Sequence, residues 1–228
     1  MSRTLVLKLG GASAVRAAGQ VAASARTASL IVVHGGGPQI TALMRRRGVE
    51  PRFEGGRRIT DAATMACVVA GAHQISGELC AALAREGIVP EPMLGSAIEA
   101  RRVPHLGLVG EPMRADAAAL ARALADGRVP LIAPLATDLA DGVLLNVNAD
   151  DIAACVAAAV GADELVFLTD VEGVLDEAGD LIPRIELSGG IPASARGGML
   201  PKLEACAAAL VGGVARVSIG VAGTVVTP

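Results

Sequence analysis

A chain of 228 residues, 52% hydrophobic and 19% charged, has ample material for one large domain or for one domain with two lobes. Its aromatic fraction is 1% (Phe53 and Phe167 only), which argues against a base-stacking nucleic-acid platform. A formal net charge of -3 likewise argues against a basic footprint for DNA or RNA.

Residues 4–9 (TLVLKL) predict a strand that ends at Gly10-Gly11, and the Ala-rich residues 12–28 predict a helix. Residues 30–33 are apolar and mostly β-branched, so they read as a strand buried on both faces. That strand runs into Gly35, Gly36 and Gly37, where bare backbone can approach a ligand, and a helix over 40–47 stopped by Gly48 follows. This β-α-β-α opening predicts a parallel sheet with helices on its faces and ligands at the carboxyl ends of its strands.

The polar, basic residues 50–59 suit a loop over the cleft, and Thr60-Asp61 supply an N-cap for a long apolar helix to about Arg85. Pro90, Pro92 and Pro104 break up residues 89–109, which predicts one or two hairpins there rather than a central strand. A helix over 116–125, a strand over 129–133 and a turn and strand over 141–148 come next. Ala149-Asp150-Asp151 then cap a helix to Val160. Residues 164–169 predict a strand ending at Asp170, residues 174–185 a hairpin turning at Ala178-Gly179, and residues 200–211 a helix. Two closing strands span 215–219 and 224–226.

Cys67, Cys80, Cys155 and Cys206 are scattered through apolar helical stretches, without a C-x-x-C pair. They read as small buried hydrophobes in a reducing cytoplasm, and the three histidines have no metal-ligand spacing, so no protein metal site is expected. Lys8 interrupts any signal-peptide core, and no apolar run looks long enough to span a bilayer, so no membrane partner is expected either.

The common nucleotide fingerprints are missing: the glycine turn is not G-x-G-x-x-G, and no G-x-x-x-x-G-K-[ST] occurs. Lys8 lies in an apolar strand just before Gly10-Gly11, either as a snorkelling edge lysine or as a fixed cation at the rim of the turn. Lys202 stands near a helix start behind Gly197-Gly198, where a cation is unfavourable unless an anion binds. Asp150 reads as an N-cap that could also orient a lysine. Arg57-Arg58 are a solvated pair or a clamp for a carboxylate. His34 lacks an acidic or nucleophilic partner nearby and reads as structural. Two lysines, glycine turns and helix N-termini without a nucleophile fit phosphoryl transfer, which depends on positioning and charge stabilisation.

Seven stretches in order, KLGG (8–11), VHGGGPQI (33–40), EGGRRITD (54–61), GLVG (107–110), LNVNAD (145–150), FLTDVEGVL (167–175) and GGMLPK (197–202), resemble the amino acid kinase family. The resemblance implies an α/β fold, a three-layer αβα sandwich with a largely parallel sheet. It places a substrate and dimerisation lobe over about 1–161 and a nucleotide lobe over about 162–228. The implied reaction is ATP-dependent phosphorylation of the side-chain carboxylate of N-acetyl-L-glutamate in arginine biosynthesis, with Mg2+ carried by the nucleotide.

By the same resemblance, Lys8 and Lys202 would stabilise the transferring phosphoryl group and Asp150 would hold both lysines in place. Gly10, Gly11, Gly36 and Gly37 would offer backbone N–H groups to the γ-phosphate and substrate. Arg58 would grip the α-carboxylate and Asn146 the acetamido end. Asp170, Val171, Gly173, Val174 and Leu175, with Gly197, Gly198 and Met199, would line the nucleotide pocket. The sequence departs from the family at Ser76-Gly77, where Asn-Lys is usual, and at residues 94–97, where a Gly-x-Asp-Gly turn is usual. Starting directly on the first strand, the chain is expected to form a homodimer without arginine feedback. The rival readings are a kinase of carrier-protein-linked aminoadipate or glutamate, and a non-catalytic ligand-binding relative.

Overall fold

Side chains on both faces of the first two strands are apolar, so each face needs its own cover. In β1 (Thr4–Leu9), Leu5, Leu7 and Leu9 enter one core cluster and Val6 another. In β2 (Ser29–His34), Leu30 and Val32 join the first cluster, Ile31 and Val33 the second. The structure is a computed structural model and describes residues 3–10, 15–169, 173–192, 197–220 and 223–228; Gly11, Asp170 and Val171 lie outside the described residues.

A 3-10 turn (Val15–Ala17) leads into α1 (Ala18–Ala25), which ends earlier than the predicted 28 because the Ser24 carbonyl accepts from the N–H groups of Thr27 and Ala28. Beyond the glycine turn, α2 (Gly37–Arg46) starts three residues before the predicted 40, since Pro38 suits the first helical turn. The segment predicted as a loop over 50–59 holds a small antiparallel hairpin, β3 (Phe53–Glu54) and β4 (Arg57–Arg58).

Asp61 caps α3 (Ala62–Arg85) by accepting from the Thr64 N–H at 2.8 Å. By length and composition this helix could cross a bilayer, contrary to the expectation from sequence. It is a core helix instead. Met65 and Val68 pack with Ile40 and Met44, while Ile75, Leu79 and Leu83 pack with Leu5 and Leu30 of the sheet.

The prolines of residues 89–109 do not exclude a central strand. The segment β5 (Pro90–Arg102) lies inside the sheet, parallel to β7 (Val129–Asp138), and forms an antiparallel hairpin with β6 (Val109–Ala115). Over Pro90–Met93 its described pairing is with β7 alone, so the N–H groups the prolines lack fall where the other edge is open. Between β6 and β7, Asp116 caps α4 (Ala117–Ala125) through the Ala119 N–H.

Next come β8 (Leu144–Val147), α5 (Ala149–Ala159), β9 (Glu164–Leu168), β10 (Arg184–Glu186), α6 (Met199–Val211), β11 (Arg216–Ile219) and β12 (Thr224–Thr227). The main sheet runs β10-β12-β11-β9-β1-β2-β7-β5-β6-β8. It is mostly parallel, with antiparallel pairing at β5–β6, β7–β8 and β11–β12. Helices α1, α2 and α3 cover one face and α4, α5 and α6 the other, giving the expected αβα sandwich.

One glycine of the GLVG stretch has a plain reason to be there. Gly107 has φ 81°, and its strand segment lies against residue 60: the Leu108 N–H donates to the Thr60 carbonyl at 2.7 Å, and the Thr60 N–H to the Leu106 carbonyl at 2.9 Å. A Cβ at position 107 would collide with the Thr60 carbonyl. Gly107→Ala is therefore expected to cost about 2–3 kcal/mol, read as a lower urea midpoint at unchanged m.

Candidate active site

The alternation of β1 sends Lys8 to the same face as Val6, toward α5, and β1 lies between β2 and β9 in mid-sheet. Lys8 is therefore no edge lysine. Helix α5 is capped by Asn148, whose Oδ1 accepts from the Asp150 N–H at 2.8 Å. That corrects the reading of Asp150 as the cap and leaves its carboxylate for other partners. Lys8 Nζ lies 2.8 Å from Asp150 Oδ1, and Lys202 Nζ lies 3.2 and 3.1 Å from Oδ1 and Oδ2. The three side chains are each about a tenth exposed, so Lys202 is not the exposed helix lysine it could have been. Lys202 Nζ also sits over the Phe167 ring, 5.1 Å from its centroid, and Phe167 is Lys8's register partner on β9.

Burial by itself would push the Asp150 carboxyl up, but Lys8 and then Lys202 hold it below its ordinary value. The pKa of Lys202 is lowered by burial and by the charge of Lys8, with Asp150 opposing both. Two ammonium groups around one carboxylate leave an uncompensated positive charge, which favours an anion at this spot.

Beside Lys8 opens a cavity of about 300 Å3, walled by Gly36, Gly37, Phe53, Arg58 and Asn146. Its volume suits a molecule of amino-acid size. Arg58 is buried and tied three times to α2: it donates to Thr41 Oγ1 at 2.9 Å, to the Gly37 carbonyl at 3.2 Å and to Met44 Sδ at 3.0 Å. Its guanidinium also stacks on Phe53, 4.6 Å from the ring centroid, while burial draws its pKa down. Asn146 is fixed by pairing on two sides, with β6 and with β7, and its Nδ2 donates to Thr60 Oγ1 at 3.0 Å. A Cβ at Gly36 would come within 2.6 Å of Ile75 Cδ1 and 3.2 Å of Ile40 Cδ1, so those side chains would have to shift, whereas the space at Gly37 is open.

Below the turn, His34 is fully buried, donating from Nδ1 to the Gly35 carbonyl (3.0 Å) while Nε2 accepts from Ser76 Oγ (2.7 Å). Burial lowers its pKa against the opposing Gly35 bond, so it serves as a neutral strut. Ser76, one of the departures from the family pattern, is thus the strut's partner. Cys67 and Cys206 are buried as free thiols, and Cys80 and Cys155 are partly buried.

On the other side of the lysines, several expected nucleotide contacts are already engaged within the fold. The Gly10 N–H donates to the Leu168 carbonyl at 2.9 Å, so it extends the sheet and is not a free donor. Val174 is buried in the core, and its N–H donates to Thr224 Oγ1 at 2.8 Å. The bend at Gly173 passes so close to β12 that a Cβ there would meet the Thr224 backbone N at 2.9 Å. Leu175 bridges to Leu181 and stays partly exposed. Gly197 (φ 56°) and Gly198 form the entry to α6, and Met199 packs on the core at its first turn. Sequence reasoning missed Asn148 as the cap and Phe53 as the ring under Arg58. The signal for Phe53 was its rarity, as one of two aromatic residues.

A profile of the amino acid kinase family matches residues 3–220. The chain belongs to the amino acid kinase family. That is a family of phosphotransferases, in keeping with the paired lysines. Among this kinase's relatives, the acetylglutamate kinase of Koribacter versatilis is 40% identical over 94% of this chain and 89% of its own length. The acetylglutamate kinase of Symbiobacterium thermophilum is 39% identical over 95% of this chain and 83% of its own. The crystal structure of smu.665 from Streptococcus mutans superposes with a TM-score of 0.91 at 27% identity, covering 100% of this chain and 99% of that one.

Proposed function

We propose that this amino acid kinase transfers the γ-phosphoryl group of ATP to the side-chain carboxylate of N-acetyl-L-glutamate, forming the acyl phosphate in arginine biosynthesis. The observation that carries the reading is Asp150, buried between Lys8 and Lys202 at the mouth of an amino-acid-sized cavity. Its support from comparison is the name acetylglutamate kinase on relatives 36–40% identical to this chain.

Each residue has a definite task in this reading. Lys8 and Lys202 lie where negative charge builds up on the transferring group, and Asp150 holds them apart from each other and in register with it. Gly37 opens α2, and its N–H, at the first helical position, can serve an anion, whereas the Ile40 N–H is taken by the Gly36 carbonyl at 2.9 Å. Arg58 offers a guanidinium for the substrate's α-carboxylate, and Asn146 an amide for the acetamido group. The substrate lobe spans about residues 1–161 and the nucleotide lobe about 162–228. Asp150 is engaged by two cations, so the fitting arrangement is one in which Mg2+ arrives on the phosphates of ATP and neutralises them there. The enzyme works as a homodimer in the cytoplasm, a setting supported by four unpaired cysteines.

With MgATP, the purified protein is expected to phosphorylate N-acetyl-L-glutamate, trapped by hydroxylamine as the hydroxamate. Turnover confined to another carboxylate, or no turnover on any, would sink this assignment.

A further inference from the structure

Neighbouring residues of a strand leave it on opposite faces, so Arg57 and Arg58 depart from β4 in different directions. Arg58 turns to α2 and the acceptor cavity. Arg57 turns the other way and meets carboxylates from two further elements: Nη1 lies 2.9 Å from Glu111 Oε1 on β6, and Nη2 lies 3.5 Å from Asp151 Oδ2 in the first turn of α5. Glu111 is itself steadied by Arg101, 3.0 Å away. Arg57 also borders both the acceptor cavity and a second cavity of about 640 Å3 that is walled by Asp151, Cys155 and Glu204, so it forms part of the partition between them. The hairpin bearing the two arginines pairs over only Phe53–Arg58 and Glu54–Arg57. A ribbon that small takes its position from its anchors: Arg58 ties it to α2, and Arg57 ties it to β6 and α5.

We propose that Arg57 is a positioning residue for the acceptor side of the reaction: by bridging Glu111 and Asp151 it latches the β3–β4 hairpin to α5 and β6 and so keeps Arg58 over the cavity. The role in turnover rests on the substrate reading above. One arm of the latch ends on the residue covalently next to Asp150, so the hairpin and the lysine centre share a single helical turn.

The Asp151 arm makes the latch sensitive to pH. Burial pushes the Asp151 carboxyl up to about 6; Arg57 opposes this, while Asp150 on the same helix, Glu204 on α6 and Glu111 on β6 add to it. Arg114, which borders the same cavity, is paired with Glu99 at 2.6 Å. As pH falls through about 6, Asp151 takes up a proton and Arg57 keeps only Glu111, whose carboxyl Arg101 and Arg57 hold below its ordinary value.

Steady-state kinetics and amide hydrogen exchange test the proposal together. Arg57→Met is expected to raise KM for N-acetyl-L-glutamate about tenfold at neutral pH, with kcat and KM for ATP within about twofold of wild type. Arg57→Lys should recover part of the loss. Wild-type KM should rise on going from about pH 7.5 to about pH 5.5, whereas Asp151→Asn should show the raised KM throughout and a flat profile. Without any substrate, exchange at the Ile59 N–H, which closes the hairpin onto the Arg52 carbonyl at 3.0 Å, should quicken in Arg57→Met. Wild-type KM and unchanged exchange in that variant would overturn the latch, as would equal damage to kcat and both KM values. A wild-type enzyme inert toward N-acetyl-L-glutamate would instead defeat the substrate reading, and the exchange comparison would still decide the latch.

Discussion

Lys202→Ala, or Lys8→Ala, is expected to lower kcat for N-acetyl-L-glutamate phosphorylation about a hundredfold or more, the usual scale for a lost donor to transition-state charge. Each ammonium group reaches Asp150 from a different element, Lys8 from β1 and Lys202 from α6, so neither substitutes for the other. Stability should hardly change in either variant. Removing one lysine leaves Asp150 paired with the other, and the buried centre goes from a net cation toward neutrality. Initial rates at saturating substrates, alongside urea denaturation, separate the two effects. Unchanged kcat in both variants would refute the assigned roles.

Asp150→Ala is expected to act on both activity and stability. It leaves Lys8 and Lys202 side by side with no carboxylate between them, and breaking a buried ion pair in this way costs about 3–5 kcal/mol. The pH dependence has a definite sign. Asp150 raises the Lys202 pKa, so its removal lowers that pKa further below the unfolded value. A lysine depressed in the folded state binds fewer protons folded than unfolded, so the variant gains stability as pH rises from the folded pKa toward the unfolded one. Its deficit against wild type should therefore narrow as pH rises toward the ordinary lysine pKa of about 10.4, as measured by urea unfolding at stepped pH. The double variant Asp150→Ala/Lys202→Met removes one of the stranded cations and should recover stability without activity. A deficit that widens with pH, or a double variant no more stable than the single one, would contradict this account of the centre.

Much of the architecture was legible because its signals are local. The apolar runs at 4–9, 30–33 and 164–169 read as buried strands, and Asp61 and Asp116 cap the helices expected after them. Local reasoning failed at Pro90 and Pro92, where the missing donors mattered less than the side of the strand they faced. It failed again at Asn148 and Asp150, since either residue type can cap a helix. Their division of labour follows from the two lysines that claim Asp150, which are distant in the chain. Residues 50–59 were read as a loop for their polarity, yet Arg57 and Arg58 have ion-pair and hydrogen-bond partners on α2, β6 and α5 that fold them into a hairpin.

The sequence by itself determined the order of strands and helices, the scarcity of aromatic faces, the glycine turn at 35–37 and the short roster of cations able to serve a phosphoryl group. Only the tertiary structure decided that Lys8, Asp150 and Lys202 share one buried point, that the Gly10 N–H belongs to the sheet, and that Arg57, between the cavity Arg58 helps to wall and a second one, pairs with Glu111 and Asp151. The physical reason lies in the range of the interactions. Backbone preference and apolar period act over a few residues, whereas charges pair across whichever strands and helices the sheet order brings together.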